Sequence, residues 1–88
     1  MSDYNFSKVK VGVIDLKSHN LFSILQATKN IGYQTFVLEN TKQFKNKDII
    51  ILPGVGSFKY AMNYLKKFGY SDSIRNHVLK KKHFLGFV

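Results

Sequence analysis

The apolar run Ile49-Ile50-Ile51-Leu52 gives way to Pro53-Gly54-Val55-Gly56-Ser57-Phe58, a segment that holds the chain's single proline and two closely spaced glycines. A strand that meets such residues ends abruptly and presents bare backbone N–H groups before the next helix begins. Such a turn can hold an anion. By itself Gly54-x-Gly56 describes a tight turn more often than a ligand cradle. A dinucleotide fingerprint would place a third small residue where Lys59 stands, and a Walker loop would require Gly-Lys-Ser/Thr, so both nucleotide readings fail.

The remaining groups with chemical capacity are few. His77 and His83 are not at i, i+4 spacing and no carboxylate lies between them, which argues against a zinc motif. His19 follows the first strand in a loop, where a lone histidine is expected to be solvated. Asp15 closes that strand and is expected to make a local turn through its carboxylate. The sequence contains no cysteine, which removes disulfides, thiolate metal sites and thiol nucleophiles together. Neither a metal nor a cofactor is expected.

These groups sit in a chain of 88 residues, enough for one small domain. A hydrophobic content of 44% against 22% charged residues is the balance of a chain that folds. The amino terminus carries no signal-like apolar stretch and no segment approaches a membrane span, so a cytoplasmic protein is expected. The net charge of +9 raises the question of nucleic acid. Yet the lysines are spread from Lys8 to Lys82, and arginine, the residue best shaped for phosphate or guanine, appears only as Arg75. The tail Gly86-Phe87-Val88 has the aromatic character of an RNA-reading strand, but Phe84 and Leu85 stand where its basic positions would be. A solvated surface and a core strand are the better readings.

Periodicity supplies the elements that would position the turn. Val9 to Ile14 reads as a buried parallel strand. Asn20 is a candidate helix cap, with Leu21, Ile24, Leu25, Thr28 and Ile31 on one helical face and Gly32 at the left-handed closing position. Tyr33 to Leu38 reads as a second strand, Glu39 to Lys47 as a polar connector of weak helical potential, and Ile49 to Leu52 as a third strand. Phe58, Met62 and Leu65 recur at helical spacing before Gly69. Ser71 or Asp72 would cap a further helix containing Ile74, Val78 and Leu79, with Lys80-Lys81-Lys82 in its last turn opposing the helix dipole. Phe84 to Val88 is expected to be a fourth strand. The order β-α-β-β-α-α-β predicts a layered α/β domain with a mostly parallel sheet, whose ligands would lie beyond the carboxyl ends of the strands, near Asp15 to Asn20 and Pro53 to Ser57.

In that order the segments resemble the amino-terminal part of a class I glutamine amidotransferase, most closely the glutaminase subunits of imidazole glycerol phosphate synthases. Val11-Gly12-Val13-Ile14-Asp15, followed by Ser18-His19-Asn20-Leu21, is similar to that family's first strand and its loop ending in Gly-Asn-Leu. Ile51-Leu52-Pro53-Gly54-Val55-Gly56-Ser57-Phe58 resembles its Leu-Pro-Gly-Val-Gly-Ser-Phe segment. Leu85-Gly86-Phe87-Val88 resembles the strand Leu-Gly-Ile-Cys that delivers the nucleophile, which places Val88 in the cysteine position. The first loop departs from the family's Asp-Tyr-Gly-x-Gly-Asn, since Leu16-Lys17-Ser18-His19 carries neither glycine.

The resemblance implies a three-layer flavodoxin-like fold, with residues 1–88 forming an incomplete type 1 amidotransferase domain cut before the nucleophile elbow. It implies a parent activity of glutamine hydrolysis, with ammonia passed to a cyclase subunit during histidine biosynthesis. In that family a thiolate attacks the carboxamide, a histidine paired with a glutamate acts as base, and backbone N–H groups stabilise the oxyanion. The oxyanion segment maps onto Gly54, Val55 and Gly56. With Val88 in place of the nucleophile and the family's histidine and glutamate unmatched, the chain itself is expected to be inactive. Other classes left open are a short non-enzymatic partner-binding protein, a glutaminase-like part of a surface-sugar amidotransferase, and a basic RNA-binding domain.

Overall fold

The computed structural model describes residues 6–17, 20–54, 57–80 and 82–86. Strand β1 (Lys10–Ile14) is followed by helix α1 (Asn20–Ile31), strand β2 (Gln34–Leu38), a short 3-10 turn (Thr41–Phe44), strand β3 (Ile49–Leu52), helices α2 (Phe58–Lys67) and α3 (Tyr70–Leu79), and strand β4 (His83–Gly86). The strands form one sheet in the order β2-β1-β3-β4. Every pairing is parallel, with Ile14 opposite Leu38, Val13 opposite Ile51 and Leu52 opposite Gly86. The expected mostly parallel sheet is thus wholly parallel among the described strands, and its order is that of a partial flavodoxin-like fold.

Because strand side chains alternate in direction, the sheet feeds two separate cores. Val11, Val13 and Ile51 point to the face covered by α1, where they meet Ile24. Ile14, Ile50 and Leu52 point to the other face, where they meet Leu38, Phe44, Ala61, Leu65 and Tyr70. Burying each such aliphatic side chain contributes roughly 1.5 to 3 kcal/mol, so these two layers dominate the stability of the fold. Gly12 belongs to the second face, and a methyl group there would lie 2.7 Å from a Leu38 methyl carbon. Leu38 is fully buried, so the seat of its side chain against β1 depends on the missing side chain at Gly12.

Helix ends follow the chain's punctuation. Gly32 ends α1 with φ 108° and Gly69 separates α2 from α3 with φ 78°, left-handed values that a side chain resists. Asn20 is already the first helical residue rather than the residue ahead of the helix. Likewise α3 begins at Tyr70, directly after Gly69, so neither Ser71 nor Asp72 caps it. The helix stops at Leu79, with Lys80 at its cap position, so the lysine run lies past the last turn; Lys81 falls outside the described residues. The connector before β3 is more ordered than its composition implies. Asn40 Oδ1 accepts from the Lys42 amide at 3.0 Å while Gln43 Oε1 accepts from the Asn40 amide at 3.1 Å, a reciprocal capping box.

The buried faces are shifted from the expected ones. On α1, Ile24 and Thr28 are buried but Ile31, the last residue of the helix, is exposed. On α2 the core takes Ala61 and Leu65, with Met62 half-buried and Phe58 exposed. On α3 it takes Tyr70 and His77, leaving Val78 and Leu79 exposed. Aromatic contacts lock this layer together: Tyr64 lies 4.6 Å from Phe68 and 6.2 Å from Tyr70, and Tyr70 lies 5.9 Å from Phe44, measured between ring centres.

Candidate functional site

The two loops expected to meet do so at the carboxyl end of the sheet. In the order β2-β1-β3-β4, the connection from β1 leads to β2 on one side and the connection from β3 to β4 on the other. The crevice between β1 and β3 is therefore the switch point at which doubly wound sheets bind ligands. Asn20, at the start of α1, donates from Nδ2 to the carbonyl oxygen of Gly54 at 3.1 Å, which bridges this crevice. Pro53 is fully buried and Gly54 half-buried, so the turn leaves β3 from a fixed point.

Helix α2 begins immediately beyond. Ser57 takes the cap position with extended backbone, and its hydroxyl oxygen accepts from the Tyr60 amide at 3.1 Å. No acidic residue occupies the first turn, so the positive end of the helix dipole is left uncompensated by carboxylates there. Tyr60 also reaches across to the β1 loop, where its hydroxyl donates to the Leu16 carbonyl at 3.4 Å. These contacts hold the flanks of residues 54 to 57 against the loop after β1.

Asp15 makes the local turn its position predicts. Its carboxylate accepts from the Lys17 amide at 2.8 Å and pairs with the Lys17 ammonium at 3.2 Å. Lys17 adopts φ 59°, and the hydrogen bond its ammonium donates to Asp15 is the leading reason that group is held above the usual lysine range. The Asp15 carboxylate is therefore spent on loop geometry. Among the described residues no helix is long and apolar enough to cross a membrane, and no group of three or more His, Cys, Asp or Glu side chains converges as a metal site.

Of the residues singled out by sequence, Gly54 is where it was expected. His19, Val55, Gly56 and Val88 lie outside the described residues. His77 and His83 are brought together, but at the opposite end of the sheet: His77 Nε2 lies 2.8 Å from the His83 carbonyl oxygen. The contribution of Asn20 as a bridge to Gly54 was missed. Local sequence marks Asn20 as a helix cap, and nothing in local spacing reports a contact made 34 residues away.

Sheet order and crevice define a doubly wound α/β protein of the flavodoxin-like class. Within that class, the chain's sequence relatives are HisH subunits of imidazole glycerol phosphate synthase. It is 42% identical over 77 residues to subunit HisH 1 of Campylobacter jejuni, an alignment covering 86% of this chain and 38% of that protein. It is 41% identical over 76 residues to HisH of Caldanaerobacter subterraneus, covering 86% and 37%. With the Cyanophora paradoxa hisH subunit it shares 34% identity over 82 residues, covering 93% and 38%. The chain thus spans well under half the length of the curated relatives it matches. No family model matches it.

Proposed function

We propose that these 88 residues form the amino-terminal part of a glutaminase-type domain that serves an imidazole glycerol phosphate synthase, and that Gly54, Val55 and Gly56 are its oxyanion segment. The observation that carries this reading is the Asn20 to Gly54 bridge across the β1/β3 crevice. A trans peptide points its N–H opposite its carbonyl, so holding the Gly54 oxygen restrains the peptide unit that Gly54 opens. A donor restrained in advance is what a developing negative charge requires, and losing one typically costs ~10² to 10³ in rate. The sequence likeness to HisH subunits supports the same assignment.

In the parent reaction a thiolate adds to the carboxamide carbon of glutamine, and the amide nitrogen leaves as ammonia for a cyclase partner. These 88 residues contain no cysteine, so the thiol is not theirs to supply. Val88, in the cysteine position by resemblance, has no nucleophilic atom. The polypeptide of these residues alone is therefore expected not to hydrolyse glutamine. A Val88→Cys variant of it should stay inactive, because the new thiol would lack the family's histidine and glutamate pair as its base, and His77 and His83 lie at the end of the sheet away from Gly54.

A chimera tests the assignment. This chain's sequence through Gly86 replaces the corresponding segment of Campylobacter jejuni HisH 1, which supplies everything that follows, and glutamate release is measured with the cyclase subunit present. Activity within about tenfold of the parent supports the reading, and Val55→Pro in the chimera, which deletes one backbone donor, should lower kcat by ~10² or more. A chimera that assembles with the cyclase but is indifferent to Val55→Pro would refute the oxyanion role. Glutamate release by the 88-residue polypeptide alone, rising with its concentration, would refute its inactivity.

A further inference from the structure

Lined by none of the residues of the Gly54 turn, an open cavity of about 490 Å³ lies between the segment holding the 3-10 turn Thr41–Phe44 and helix α3 with the residues that follow it. Lys42, Lys45, Lys80 and Lys82 line it, and no carboxylate does. The one ion pair among the described residues, Lys17 with Asp15, lies in the loop after β1, so none of the four lysines is neutralised there by a described partner.

The lysines are not consumed by the end of α3 either. The Lys80 amide bonds to the carbonyl of Asn76 at 3.1 Å and the Lys82 amide to that of His77 at 3.3 Å, so backbone donors serve these last-turn carbonyls. Lys82 Nζ donates to the Lys47 carbonyl at 3.2 Å, which positions its charge without cancelling it. Thr41, Ser73 and Asn76 add neutral donors between the cations.

His77 closes the cavity from below. It is buried and meets Phe44 edge-on, with ring centres 6.4 Å apart. A carbonyl only accepts, so the 2.8 Å contact with His83 places a proton on Nε2. Burial pushes the His77 imidazole below its usual range, and Lys82, His83 and Lys80 push in the same direction, against the opposing hydrogen bond to His83. Lys42 and Lys45 face it from the turn side. The pocket therefore concentrates positive charge around a base held neutral, and an entering anion would reverse that balance.

We propose that this cavity is a binding site for a small phosphate-bearing anion, a phosphate ester or pyrophosphate group held by Lys42, Lys45, Lys80 and Lys82. Its volume falls in the range of small-molecule sites. A nucleic-acid strand fits it poorly, since the lining carries no arginine and its one aromatic ring besides His77, Phe44, is buried rather than offered for stacking on bases. The site is independent of the crevice at Gly54.

Titration of the 88-residue chain with pyrophosphate, followed by calorimetry and by the His77 imidazole C–H resonances, tests the proposal. Saturable one-to-one binding at ~1 mM or tighter is expected, with the His77 titration midpoint moving up when the anion is bound. The pair Lys42→Gln and Lys80→Gln should weaken binding about tenfold or more, while Lys59→Gln and Lys66→Gln on α2, which change net charge equally, should leave it intact. Equal weakening by both pairs would reduce the effect to overall charge and overturn the site. So would an unmoved His77 midpoint under saturating pyrophosphate, or tighter binding of a single-stranded oligonucleotide through the same lysines.

Discussion

The side-chain Nδ2 of Asn20 lies 3.1 Å from the carbonyl oxygen of Gly54, so the first residue of α1 holds the turn that ends β3. The bond is solvent-exposed, and water can replace the lost donor in a variant. Asn20→Ala should therefore destabilise the chain by only about 0.5 to 1 kcal/mol, read as a fall of a few degrees in Tm. Amide exchange in the Gly54 turn should quicken at the same time. Unchanged exchange there would mean that the bridge restrains nothing.

Gly12 is predicted to be intolerant for a reason of space rather than backbone angle. A methyl group at this position meets three Leu38 atoms at 2.7, 2.9 and 3.0 Å, and Leu38 is itself fully buried. Overpacking of this kind costs about 1 to 3 kcal/mol. Gly12→Ala should lower the urea midpoint accordingly, and combining it with Leu38→Val should recover part of the loss, since residues in contact couple. Strictly additive losses would show that the two do not compete for the same volume.

Tyr70 carries the one buried side-chain polar atom without a hydrogen-bond partner among the described residues, its hydroxyl oxygen. An unpartnered buried hydroxyl is a liability, so Tyr70→Phe should be neutral or stabilising at pH 7. Burial, with smaller contributions from Tyr64, Asp15 and Glu39, pushes the phenol up to about 12. Its folded value thus exceeds the ordinary value near 10, so its neutral form contributes stability fully below about pH 10, lost as pH rises toward 12. The wild-type chain should weaken across that alkaline window by on the order of 2 kcal/mol, and Tyr70→Phe should flatten this part of the profile. An identical alkaline limb in both would assign the loss to other groups.

Strand β4 pairs with β3 along one edge, and no described strand pairs with its other edge. Phe84 is half-buried against the α2/α3 layer, whereas Leu85, on the α1 face, is 50% exposed because α1 covers β1 and β2 and stops short of β4. An open edge beside exposed apolar side chains favours self-association, opposed by the high positive charge. Leu85→Lys should reduce dye-detected apolar exposure and shift sedimentation toward monomer. A wild-type chain that is monodisperse and unfolds in one sharp transition would show that β4 needs no further cover.

Strands and helices were legible because their signals are local. The β1 and β3 apolar runs, the helical spacing of Ile24 and Thr28, and the left-handed glycines Gly32 and Gly69 each report their element within a few residues. The 3-10 turn at Thr41–Phe44 lies in a segment, Glu39 to Lys47, that composition marks as a polar connector of weak helical potential, although Asn40 and Gln43 stand at the spacing of a capping box. Which residues face the core was less legible. Phe58, Val78 and Leu79 look like core residues by type, but the layer is filled by Ala61, Tyr70 and His77, since the aromatic stack from Phe44 to Tyr64 sets the rotation of the helices. At the candidate site the glycine turn was visible and its partner Asn20 was not, because a bridge between loops depends on sheet order.

The central place of β1 also bears on how the chain is made. Of the described strands this one leaves the ribosome first, yet both of its edges wait for strands synthesised later, and the Lys10 amide bonds a carboxylate on Asp48, 38 residues downstream. At about 5 to 20 residues per second, Val11, Val13 and Ile14 wait ~1 to 5 s for β2 and ~2 to 8 s for β3. The hub of the finished sheet is therefore the segment most in need of a chaperone during translation, and slowing synthesis between Leu38 and Ile49 would lengthen its exposure.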